Sequence, residues 1–123
     1  NMNYIFNREP YTDWKIVLMD RSIDKQMEEI EPNDDWICDE FECFYRTAIK
    51  DSKECEMFTM IVNGTEYDVL QLQLFKNGDI RYISRIPFYV DVIKREKRVE
   101  ILPLVYCSVD EKSRNIKLKD MLE

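Results

Sequence analysis

The chain has only two glycines, and each follows an asparagine between runs of residues that suit strands. Asn63-Gly64 stands between MFTMIV and TEYDVL, and Asn77-Gly78 follows a stretch rich in leucine. Both residue types tolerate positive φ, which a tight hairpin turn demands of its central positions, so each pair predicts a hairpin. The first register sets Met60 against Tyr67 and Phe58 against Val69, leaving Thr59, Glu66 and Asp68 on the other face. For the second, a three-residue loop over Lys76-Asn77-Gly78 is expected, because it opposes Leu74 to Ile80 and Leu72 to Tyr82; a two-residue loop would set Leu74 against Arg81. The hairpins demand opposite inward faces on the strand they share, Tyr67 and Val69 for one, Leu70, Leu72 and Leu74 for the other. A bulge near Val69, or burial on both faces, is the expected resolution.

Around these hairpins the chain reads as α+β: an antiparallel sheet of about five strands, mostly in the C-terminal half, with one or two helices from the N-terminal half packed on one face. Tyr4-Ile5-Phe6 suits a short edge strand, and WKIVLM (Trp14 to Met19) is β-branched and aromatic enough for another. Ser22 is placed to cap a short helix with Ile23, Met27 and Ile30 on one face, ending before Pro32. Asn33 or Asp34 is placed to cap a second helix, whose core stripe is Ile37, Phe41, Phe44, Tyr45 and Ala48. Asp35, Asp39, Glu42 and Arg46 fall opposite, with Trp36 and Cys43 at the side; a strand over Phe41 to Ile49 is the rival assignment. FYVDVI after Pro87, the charged turn Lys94 to Arg98, and VEILPLVYCSV form a further pair, with Pro103 predicting an edge or a bulge. Asp110 to Asn115 is expected as loop and Ile116 to Lys119 as a last short strand.

With 123 residues, 45% apolar, the chain is expected to form one domain, residues 1–123, around one core. Met2 reads as the native start and Asn1 as a leftover of expression. No run of eighteen apolar residues and no signal-peptide pattern occurs, so a cytoplasmic location without a membrane partner is expected. Cys38, Cys43, Cys55 and Cys107 form no CxxC pair and read as free thiols.

The chain has no histidine, which removes the commonest general base, the usual partner of a serine or cysteine nucleophile, and the commonest zinc ligand. Both glycines are used by turns, which excludes a P-loop and a dinucleotide fingerprint. The acids do not follow the spacing of a calcium loop. Asp-x-Lys triplets at Asp13, Asp51 and Asp110 keep a carboxylate-only, metal-dependent enzyme as the alternative from another class, although chance supplies such triplets in a chain with 35% charged residues. Lys94, Arg95, Lys97 and Arg98 form a basic cluster without interleaved aromatics, in a chain of net charge −7, so a solvated turn is expected rather than a nucleic-acid partner. No enzyme activity and no cofactor are expected.

One charged feature remains. Gln26 to Tyr45 holds eight acids (Glu28, Glu29, Glu31, Asp34, Asp35, Asp39, Glu40 and Glu42) and no Lys or Arg; outside it 17 acids face 18 bases, so the stretch carries the whole net charge. The helix dipole favours Asp34 and Asp35. Asp35 with Asp39, and Asp39 with Glu42, should instead repel by roughly 0.2 to 0.5 kcal/mol per pair. A concentrated anionic patch speeds encounter with a basic partner, and an aromatic beside it supplies an anchor. The expected partner-binding residues are therefore Glu28, Glu31, Asp35, Trp36, Asp39, Glu40 and Glu42, with Asp35, Asp39, Glu40 and Glu42 standing in for phosphate and Trp36 as the apolar anchor. In size, acidity and lack of catalytic motifs the chain resembles bacterial toxin immunity proteins and phage-encoded inhibitors, a resemblance of size and composition that assigns no residue a role. It implies a chain that binds and neutralises a basic protein, such as a nuclease toxin domain; a monomer or weak homo-oligomer is expected.

Overall fold

The computed structural model describes residues 2–6, 9–23, 35–83, 85–104 and 113–123. Its elements are β1 (Met2–Ile5), β2 (Lys15–Leu18), α1 (Asp35–Phe44) continued by a π-helical turn (Tyr45–Lys50), β3 (Cys55–Val62), β4 (Thr65–Gln71), β5 (Gln73–Lys76), β6 (Asp79–Ile83), β7 (Phe88–Ile93), β8 (Arg98–Pro103), β9 (Ser113–Ile116) and α2 (Leu118–Met121). The fold is α+β, but the sheet is larger than expected and mixed. Seven strands run in the order β1-β2-β8-β7-β4-β3-β9, and β5 pairs with β6 in a separate two-stranded sheet. The antiparallel pairs β1–β2, β3–β4 and β7–β8 join consecutive strands, whereas β4 beside β7 and β3 beside β9 are antiparallel neighbours brought together from distant parts of the chain. The parallel pair, β2 beside β8 with Lys15 opposite Arg98 and Leu18 opposite Ile101, has no turn to announce it.

The β3–β4 hairpin has the register its pattern predicts: Met60 opposes Tyr67, Phe58 opposes Val69, and Thr59 Oγ1 donates to Asp68 Oδ1 at 3.1 Å on the other face. Asn63 and Gly64 take φ of 50° and 81°. The second turn differs from expectation. Asn77 and Gly78 close a two-residue turn at φ 53° and 81°, and a bulge between Leu74 and Phe75 brings Leu74 opposite Tyr82, so no three-residue loop is needed to keep it from Arg81. The conflict over inward faces is resolved by burial of both faces, with Val69, Leu70 and Leu72 all buried, and by a break in pairing at Leu72. β4 then pairs with β7 rather than β6.

Pro103 lies neither on an edge strand nor at a bulge. It ends β8, which is interior to the sheet, and there its missing N–H leaves no pairing lost while its carbonyl accepts from Ser22 Oγ (2.9 Å) and Ile23 N (3.3 Å). The expected helix that Ser22 would cap falls largely on residues 24–30, outside the described residues. The last strand also shifts: β9 takes Ser113–Ile116, and Leu118–Met121 is helical instead of extended.

α1 packs on the sheet through the stripe its spacing predicts. Ile37, Phe41, Phe44 and Ala48 are buried, while Tyr45 is half-buried. Phe88 of β7 meets both Phe41 (5.8 Å, edge-on) and Phe44 (5.1 Å), and Tyr4 of β1 meets Phe41 edge-on at 5.0 Å. The same core takes Ile16, Leu18, Leu70, Val99, Ile101 and Leu118. Alternate residues Phe58, Met60 and Val69 join Leu104 in a second cluster on the opposite face. Cys55 is enclosed in the first core, and burial pushes its thiol up to about 12.

Candidate functional site

α1 carries the described part of the acidic stretch, and the fold treats its acids unequally. A helix advances about 100° per residue. Asp35 and Asp39 therefore share the face away from Ile37 and Phe41, and both are exposed. Neither forms an ion pair with a described base.

Glu42 is half-buried and accepts a hydrogen bond from the Tyr4 hydroxyl, Oη to Oε1 2.8 Å, which ties β1 to the helix. Burial raises the Tyr4 pKa, and the hydrogen bond and charge of Glu42 raise it further.

Glu40 departs furthest from its expected role. It is only 6% exposed, and its carboxylate receives Arg85 Nε on Oε1 (2.7 Å) and Arg85 backbone N on Oε2 (3.4 Å). A buried carboxylate needs such a partner, because desolvation of an unpaired charge is costly. Arg85 itself keeps a 62% exposed side chain and lays its guanidinium over the Trp36 ring, 4.9 Å from the centroid. Trp36 is half-buried against the core and so is not a free-standing aromatic. Arg85 holds Glu40 and Trp36 in one cluster at the side of the helix.

Glu28 and Glu31 lie outside the described residues. Of the seven expected partner-binding residues, the structure gathers five on one helix: Asp35 and Asp39 open to solvent, Trp36 and Glu42 at the flanks, Glu40 inward. The Cys38 thiol registers the local field; burial raises its pKa first, and the charges of Asp35, Asp39 and Glu42 add to the rise. Arg85 is the residue that sequence reasoning missed, and at 45 positions from Glu40 no local pattern marks it. The inward turn of Glu40 did have a signal: it lies three residues after Ile37 and four before Phe44, on the edge of the core stripe.

Among the described residues no group of three or more Cys, Asp or Glu is placed to hold a metal ion, and no helix is long and apolar enough to cross a membrane. Comparisons of the chain with protein-family models, with curated proteins and with solved structures gave no match.

Proposed function

We propose that this chain is a non-catalytic inhibitor that binds and neutralises a basic protein through the outer face of α1, acting as an immunity protein against a nuclease toxin. The observation that carries the reading is the pair Asp35 and Asp39, one helical turn apart, exposed and without a basic partner among the described residues. Like charges at that spacing cost the helix roughly 0.2 to 0.5 kcal/mol, a cost that contact with Lys or Arg from another protein removes. Opposed to the lysines and arginines with which a nuclease holds phosphate, the two carboxylates supply long-range attraction and register. Glu42 and the Trp36 ring edge flank them, while Glu40 acts from within by fixing Arg85 over Trp36. Within the described part of the stretch the interface is thus narrower than the row of acids.

The test is capture from lysate of the source organism with the native chain and with the Asp35→Lys, Asp39→Lys double variant. The expected result is a stoichiometric basic protein whose nuclease activity the native chain abolishes, and whose association with the variant is slower and less sensitive to salt. Equal capture and equal inhibition by the variant would overturn the reading.

A further inference from the structure

At the end of the helix away from Asp35, the chain leaves the π-helical turn through Asp51, Ser52, Lys53 and Glu54. Lys53 N–H returns to the Thr47 carbonyl at 3.0 Å, a closure that sets Ser52 at φ 54°. Helix ends of this kind favour glycine at that position, because a Cβ is disfavoured in the left-handed region. Serine stands there instead. Its Oγ is buried and makes no hydrogen bond, alone in this among the side-chain nitrogens and oxygens of the described residues. Strain and an unsatisfied hydroxyl thus fall on one side chain, and glycine would avoid both.

Ser52 is one of the residues lining a cleft of about 680 Å³, within the range of small-molecule sites. The cleft wall brings together Lys53, Lys117 and Lys119 with Glu9, Asp51 and Glu54, contributed by the β1–β2 loop, the loop before β3, and the passage from β9 into α2. None of the six forms an ion pair with another described residue. Three positive and three negative groups make the wall neutral. A simple anion drawn by the lysines would be repelled by the carboxylates, and a simple cation would meet the reverse. A molecule carrying both charges, some distance apart, satisfies the two sets together.

We propose that this cleft binds a small zwitterion of the amino-acid and short-peptide class. Its carboxylate is held by the lysines and its ammonium by the acids. The Ser52 hydroxyl, which has no exposed surface in the free protein, turns about its Cα–Cβ bond to reach the ligand and, as both donor and acceptor, makes the hydrogen bond it lacks. The proposal does not depend on the function assigned to α1.

The full chain labelled with ¹⁵N is titrated with triglycine, with its N-acetylated and C-amidated forms, and with inorganic phosphate, following amide shifts. Triglycine is expected to give saturable shifts at Ser52, Lys53, Lys117 and Lys119, with affinity about tenfold or more above either blocked form and above phosphate, the scale of one charge-assisted contact. Ser52→Ala, which keeps a Cβ, should weaken binding several-fold, and Lys117→Met with Lys119→Met should abolish it while amide shifts elsewhere stay native. Absence of saturable shifts at millimolar triglycine, equal binding of phosphate or of a blocked form, or unchanged affinity of the Ser52→Ala chain would each overturn the proposal.

Discussion

The acids of α1 and the bases from Lys94 to Arg98 are both dense charge runs, and the fold partners each of them only in part. In the turn, Lys97 Nζ donates to Asp13 Oδ2 at 2.6 Å, Arg98 Nε donates to Glu100 Oε2 at 2.9 Å, and Lys94 Nζ donates to the backbone oxygen of Glu123 at 3.0 Å. On α1 only the inward Glu40 and the flanking Glu42 are partnered, by Arg85 and by Tyr4. Arg95, like Asp35 and Asp39, is exposed and in no ion pair among the described residues, so within each run some charges serve the fold and others face solvent. What decides between them is whether a distant strand or loop brings the opposite charge within reach.

The largest effect is expected at the inner face of the helix. Phe41→Ala removes a fully buried ring between Tyr4, Phe44 and Phe88 and should cost about 3 to 5 kcal/mol in denaturant unfolding. A loss below about 1 kcal/mol would mean that α1 is not docked on β7. A smaller effect is expected where charge is partnered internally. Arg85→Ala leaves the Glu40 carboxylate without its guanidinium and should cost about 1 to 3 kcal/mol. Glu40→Gln should cost less, because its amide oxygen still accepts. A double-mutant cycle over the two positions should show strong coupling, and additive losses would show that the pair does not act as one unit.

The smallest effect belongs to the exposed pair in the turn. The hydrogen bond from Lys97 holds the Asp13 carboxyl below its ordinary range. A carboxyl with a depressed folded pKa contributes stability above its unfolded pKa, and that contribution is lost as pH falls through the folded value. In an NMR titration, Lys97→Met should move the Asp13 midpoint upward to the usual carboxylate range. An unmoved midpoint would show that the ion pair does not persist in solution.

Features legible in the sequence were those carried by neighbours in the chain. Alternation on either side of Asn63-Gly64 was enough to place every cross-strand partner named for β3 and β4, and the Ile37, Phe41, Phe44, Ala48 spacing placed the buried side of α1. Features settled by distant contacts were not legible: the parallel docking of β2 on β8, the interior position of Pro103, and the partner that draws Glu40 inward. At Asn77-Gly78 the turn itself was legible, but a bulge two residues before it changed the register. In the acidic stretch, net charge marked a region without showing which acids the fold consumes. Sorting Asp39 from Glu40, adjacent in sequence, required Arg85.

The parallel pairing of β2 with β8 also sets the order in which the molecule can be made. Lys15 waits for Arg98, and Asp13 for Lys97 84 positions away, so a chain emerging from the ribosome holds its N-terminal strands without their sheet neighbour until β8 has been synthesised. The β3–β4 hairpin, by contrast, forms from contacts a few residues apart. Long-range pairings close slowly because a large loop must be ordered first. A ribosome stalled before Pro103 therefore presents a folded hairpin beside β1 and β2 with their hydrogen-bonding edges unpaired, the species most exposed to aggregation and to chaperone capture.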